Sequence, residues 1–207
     1  MSYKLFRFDL QQQFNVAVLN NISMARITAL LVCIMFFFAA ADAQKPVTTK
    51  TDFSKAVWKM FDTTDYSVNY PANWDFDNSG QMGTTFIVFS PVESESDIFR
   101  ENVNLLKQDL TGKNITLDQY VQITEEQIKT LLANSTIIEN KRVKKGNKEC
   151  QHMTYTADQG TLHMRFEQYI YIVNDIAYVL TFTCQQGKAE MYKDIAEKML
   201  DSFVIKK

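Results

Sequence analysis

Residues 150–185 read CQHMTYTADQGTLHMRFEQYIYIVNDIAYVLTFTCQ. Three apolar and β-branched runs, 150–157, 161–173 and 176–185, are parted only by Asp158-Gln159-Gly160 and Asn174-Asp175. Gaps this short, filled by turn-forming residues, mark hairpins. Strands joined by so little chain run antiparallel, so the stretch predicts a three-stranded meander. A two-residue turn at Gln159-Gly160 would set Asp158 opposite Thr161. His152 then faces Glu167, Cys150 faces Tyr169 and His163 faces Thr156. Met153, Tyr155, Leu162, Met164, Phe166, Ile170 and Ile172 fall on one buried face; Cys150, His152, His163, Arg165 and Glu167 fall on the other.

Upstream of the meander, residues 136–145 read as a fourth strand that turns at Gly146-Asn147. Its run Lys141, Arg142, Lys144, Lys145, continued by Lys148, could grip an anionic partner. The plainer expectation is the exposed side of an edge strand, where lysines discourage aggregation. Thr116 followed by Gln119 is a capping box. It opens a helix whose stripe is Leu117, Tyr120, Val121, Ile128, Leu131 and Leu132, with Thr124 inside it. Residues 66–70, 84–89 and 102–110 predict three earlier strands, and 56–61 a short strand or helical turn. Downstream, 189–202 predicts a closing helix with Met191, Tyr192, Ile195, Ala196, Met199 and Leu200 turned inward. The fold class is therefore α+β: an antiparallel β-sheet of about six to seven strands flanked by helices, in one domain over 56–207.

The amino-terminal residues carry a different signal. Met24 and Arg26 precede an apolar run from Ile27 to Phe38, and Ala41-Asp42-Ala43 follows. This is the three-part pattern of a secretory signal peptide over 24–43, cut between Ala43 and Gln44. The run is short of the ~20 residues of a membrane span, so no stable span is expected after processing. Residues 44–55, with Pro46, read as a linker, and 1–23 as a mis-called or disordered extension. A periplasmic or extracellular location follows from this pattern. In an oxidising compartment Cys150 and Cys184 invite a disulfide. The register opposes it: Cys184 is in phase with Leu180 and Phe182, while Cys150 has the other phase and lies two strands away.

Charge and motifs narrow the function classes. The chain holds 22 basic and 24 acidic residues, a net charge of −2. Neither a nucleic-acid partner nor a charged membrane surface is expected from that balance. No G-x-S-x-G, phosphate loop or dinucleotide fingerprint occurs, and only two histidines are present, so no catalytic residue is assigned. Cys150, His152 and Glu167 are residue types that bind zinc, and their shared polar face is the one candidate metal site. Zinc wants tighter clustering and a fourth ligand, so a polar face with a His–Glu pair is expected, without metal or cofactor. Glu93, Glu95 and Asp97 lack the glycine and spacing of a calcium loop and read as a solvated loop. Asn114-Ile115-Thr116 and Asn134-Ser135-Thr136 are glycosylation sequons that matter only in a eukaryotic host.

Several short segments together resemble a known family. Tyr70-Pro71 with Trp74 resembles the Y-P-x-x-W opening of PsbP-like domains. Asp97, Phe99 and Asn102-Val103-Asn104 resemble the lead into that family's next strand. The segment 146–155, the aromatic meander and a last helix ending at Ser202-Phe203 are similar to its second half. The resemblance spans about 56–205 and implies a helix–sheet–helix (α/β/α) sandwich that docks onto other proteins rather than catalysing a reaction. It transfers no site residue. The expected function is an exported, non-enzymatic binding or assembly module acting on a protein partner in the cell envelope. The alternatives are a carrier of a small apolar ligand, or a metal-binding protein using the Cys150, His152, Glu167 face.

Overall fold

A computed structural model describes residues 56–206. The signal segment, its cleavage point at Ala43 and Gln44, the linker and the 1–23 extension lie outside the described residues. Ten strands and two helices follow in order. The strands β1 (Trp58–Asp62), β2 (Tyr66–Pro71), β3 (Asp75–Asp77), β4 (Phe86–Phe89) and β5 (Asn102–Asp109) come first. Helix α1 (Leu117–Leu131) leads into β6 (Ala133–Lys145), β7 (Lys148–Gln159), β8 (Leu162–Val173) and β9 (Ile176–Gln185). Helix α2 (Ala189–Asp201) and β10 (Val204–Ile205) close the chain. The long sheet is antiparallel throughout, in the order β3-β4-β5-β9-β8-β7-β6. A second sheet of three strands, β1-β2-β10, is an addition to the expected plan.

The turns set the register. Asn174 and Asp175 both take positive φ, 50° and 57°, as a type I′ turn demands, and place Val173 opposite Ile176. At the preceding hairpin the two turn residues are Gly160 and Thr161, and Gln159 pairs with Leu162. The turn thus lies one residue later than the Gln159-Gly160 turn expected from the sequence. Gly160, at φ 61°, takes the first turn position, where only glycine is free of strain. His152 consequently lies opposite Tyr169, Glu167 opposite Thr154, and His163 opposite Asp158. Each partner moves by two residues, so every side chain keeps its face.

Both faces of the sheet are covered. Helix α1 packs across β6, β7 and β8. Its Tyr120, Val121 and Ile128 meet Met153, Tyr155, Met164, Phe166 and Ile170 in one apolar layer. Tyr155 and Phe166 stack there at 4.7 Å between ring centres, a contact worth ~0.5–1.5 kcal/mol beyond its burial. The capping box forms as read: Gln119 N donates to Thr116 Oγ1, and Thr116 N donates to Gln119 Oε1. On the opposite face, α2 packs on β9, β2 and β5. Tyr192, Ile195, Ala196, Met199 and Leu200 join Val103, Leu105, Leu180 and Phe182 in a second layer that the small sheet closes with Tyr66, Val68 and Ile205. Met191 and Leu131, expected inward, are exposed.

This double coverage corrects the cysteine reading. Cys150 and Cys184 lie on the same face, and both belong to the α2 layer. The phase argument failed because it assumed one core face, and this sheet has two. The thiols remain unbridged. Cys150 is level with Tyr171 of β8 and Cys184 with Arg165, which separates them by roughly 20 Å along the strand.

Candidate functional site

The polar face of the meander gathers His152, Glu167 and a residue that the sequence did not single out, Glu139. His152 Nε2 lies 2.9 Å from Glu167 Oε1, and Nδ1 lies 3.0 Å from Glu139 Oε2. The ring stacks on Tyr169 at 4.6 Å and 13°. A carboxylate only accepts, so each contact asks the facing ring nitrogen to donate. Lys141 Nζ adds a 2.7 Å contact to Glu139, and its hydrogen bond is the main reason that the Glu139 carboxyl is held below its ordinary range. The group joins three strands: Glu139 on β6, His152 on β7, Glu167 on β8.

Cys150 is not part of this group. Its thiol sits in the α2 layer beside the Tyr171 hydroxyl, and burial pushes its pKa up. Burial, then the Glu101 charge, pushes Cys184 up to about 12. Thiols held protonated in this way are poor nucleophiles and poor metal ligands. With both nitrogens of His152 engaged, Cys150, His152 and Glu167 do not converge on a point. Among the described residues no three His, Cys, Asp or Glu side chains are placed to hold a metal ion.

The acidic loop departs from its expected solvation. Glu95 is exposed, but the side chains of Asp97 and Glu101 are almost wholly buried. With Glu93 they converge on Lys188, whose Nζ is 3.1 Å from Glu93, 3.2 Å from Asp97 and 3.6 Å from Glu101. Burial alone would lower the Lys188 pKa; the charges of Glu101, Asp97 and Glu93 raise it instead. Burial raises the Glu101 carboxyl, and Lys188 offsets this only in part. The Tyr192 hydroxyl donates to Glu93. The cluster clasps the β4–β5 connection to the start of α2. Sequence spacing gave no hint of it, because Lys188 stands far along the chain from the loop.

Lys141, Arg142, Lys144 and Lys145 lie on β6, at the edge of the long sheet as read, and Lys148 opens β7. Lys141 pairs with Glu139, Arg142 with Asp118 and Lys145 with Asp201. Asn102-Val103-Asn104 form part of β5, and both asparagines are buried. Asn104 lies in one row with Thr181 and Gln168, and Gln168 Nε2 donates to Thr181 at 3.1 Å.

Comparison with known proteins follows from this geometry. The family model described as PsbP-like protein matches residues 24–205. No curated protein matches the chain. Cyanobacterial PsbP from Synechocystis sp. PCC 6803 superimposes with a TM-score of 0.54 at 10% identity, covering 80% of this chain and 98% of that one. LpqN, involved in cell envelope biogenesis of Mycobacterium tuberculosis, gives 0.56 at 10% identity over 78% and 99%. A protein of unknown function from Pseudomonas aeruginosa gives 0.53 at 9% identity over 72% and 98%. At such identities the likeness is one of fold.

Proposed function

The chain belongs to the PsbP-like family, and from that premise we propose that it is an exported, non-enzymatic binding or assembly module acting on a protein partner in the cell envelope. The observation that carries the reading is where the chemically capable side chains are used. His152 is held between two carboxylates, both thiols are buried, and Lys188 is enclosed by three acids. These groups join strands and loops to one another. The apolar residues that would line a carrier's chamber instead fill the two layers against the helices. The secretory pattern at 24–43 supports export, and the family match begins at residue 24, where that pattern starts. The involvement of LpqN in cell envelope biogenesis agrees with this location. Among the described residues no helix is long and apolar enough to cross a membrane.

The test is site-specific photo-crosslinking in the native host. A photoreactive residue is placed in turn at Lys144 on β6, Met60 on the small sheet and Glu95 on the β4–β5 loop, all exposed. One discrete adduct with an envelope protein, from at least one position, is expected. No adduct from any of the three would sink the reading.

A further inference from the structure

The two edges of the long sheet differ sharply. β3, at one edge, is three residues long. β6, at the other, is thirteen residues long and pairs only with β7 among the described residues. A long open edge is a template for another strand, and proteins normally blunt it with bulges, prolines or charge. Here the register shifts are confined to the first half, between Ala133 and Thr136 and between Ile137 and Glu139. From Glu139 to Lys145 the pairing with β7 runs unbroken, and no proline interrupts it. That straight segment exceeds the ~5–6 residues of an ordinary strand.

We propose that the Glu139–Lys145 edge of β6 docks an extended, acid-rich segment of a partner protein by strand addition. The proposal rests on the partner-binding reading above and names the place and chemistry of the contact. An added strand sets its side chains ~4.5–5.5 Å from those of β6 on both faces. On one face they would meet Lys141, Val143 and Lys145, and on the other Arg142 and Lys144, with Glu139 the one acid of the segment. Cations therefore flank the new strand on both sides, although the whole chain carries a net −2. The same charges oppose a second copy: antiparallel self-pairing about Val143 sets Lys141 against Lys145 and Arg142 against Lys144, pairing about Arg142 sets that residue against itself, and like charges directly opposite are destabilising. The existing ion pairs do not block the edge. Those of Lys141, Arg142 and Lys145 are each at least 31% exposed at both partners. Such pairs are worth under about 1 kcal/mol, so an incoming carboxylate can replace the partner with little loss. Lys144 has no ion-pair partner among the described residues and is exposed. Ile138, the extra residue at the second shift, is 53% exposed and offers an apolar anchor beside the straight segment.

The test is amide hydrogen exchange, read by NMR on the processed protein, with two capped peptides. One is Thr-Glu-Val-Glu-Thr-Glu-Val and the other replaces each Glu with Lys. The Glu peptide is expected to slow the outward amides of 139–145 by about fivefold or more. The Lys peptide should leave them unchanged, and the protection should weaken as salt rises from about 50 to about 300 mM. Lys141→Glu, Arg142→Glu and Lys144→Glu combined should reverse the preference; Lys144→Glu alone, the milder change, should weaken it. Unchanged exchange in β9 certifies the fold of each variant. Equal protection by both peptides, protection on another element, or slowing that follows protein concentration without peptide would each overturn the proposal. An adduct from Met60 or Glu95 but none from Lys144 would also overturn it while leaving the partner reading intact.

Discussion

At the scale of single residues, the buried acids around Lys188 yield the first prediction. Glu101 has its pKa raised chiefly by burial, so the folded chain holds that proton more tightly than the unfolded chain. Stability from such a group is fully present below the ordinary carboxylate pKa and is lost as pH rises through the raised one. Glu101→Gln removes the penalty and keeps the shape. At neutral pH it should therefore raise stability by about 1 kcal/mol, with the gain vanishing near about pH 4, where the wild-type carboxyl is protonated. Urea titrations at the two pH values decide this; a variant weaker than wild type at neutral pH would mean that Lys188 needs all three acids. Lys188→Met is the complementary change and should cost about 3–5 kcal/mol, because it leaves desolvated carboxylates without their cation. His152 yields a second prediction. A double-mutant cycle between His152→Leu and Glu167→Gln should give a coupling of about 1 kcal/mol or more. Added zinc should leave Tm unchanged, since both ring nitrogens already have partners. A rise of several degrees with zinc would restore the ligand reading of this face.

At the scale of elements, Thr116→Ala removes the hydroxyl half of the capping box of α1, leaving the bond from the residue 116 N–H to Gln119 Oε1, and should lower stability by about 1 kcal/mol, read from the urea midpoint. The effect is local because the helix is held elsewhere by Tyr120, Val121 and Ile128. This element was legible because a cap, a stripe and a strand-length gap all agree within one short window. The same holds for β9, whose bounds follow from the Asn174-Asp175 turn and the run of apolar residues after it. The misread hairpin shows where such windows stop. Gly160 could occupy either turn position by composition, and only the backbone decides that it takes the first. β3 and β10 were missed because strands of three and two residues have no period to detect. Glu139 was missed because the shift at Ile138 changes the strand's phase just before it. The pairing of His152 with Glu167 was legible despite the register error, since cross-strand neighbours on one face remain in reach on the diagonal. The Lys188 cluster was not legible, because nothing local ties residue 188 to residues 93–101.

At the scale of the whole molecule, the fold separates what is enclosed from what is presented. A sheet covered on both faces hides His152, both thiols and the side chains of Asp97 and Glu101, and offers the outside its rims, the small sheet and the β6 edge. On the proposed function the molecule acts by being in the right place, so its compartment is the property on which that function most depends. The pattern at 24–43 makes a definite statement about that. Intact mass spectrometry of chain isolated from envelope and supernatant fractions should show a species beginning at Gln44. Reductant should not change its mass, since Cys150 and Cys184 are unbridged and buried. A mass beginning at Met24 in the membrane fraction would mean an uncleaved anchor. The domain would then be held at the membrane surface, and its partner should be sought there. A mass lower by two hydrogens that reverts with reductant would require Cys150 and Cys184 to approach across β8. Free exchange of strand register in the meander is the one route to that, and the type I′ turn at Asn174-Asp175 and the glycine at 160 oppose it.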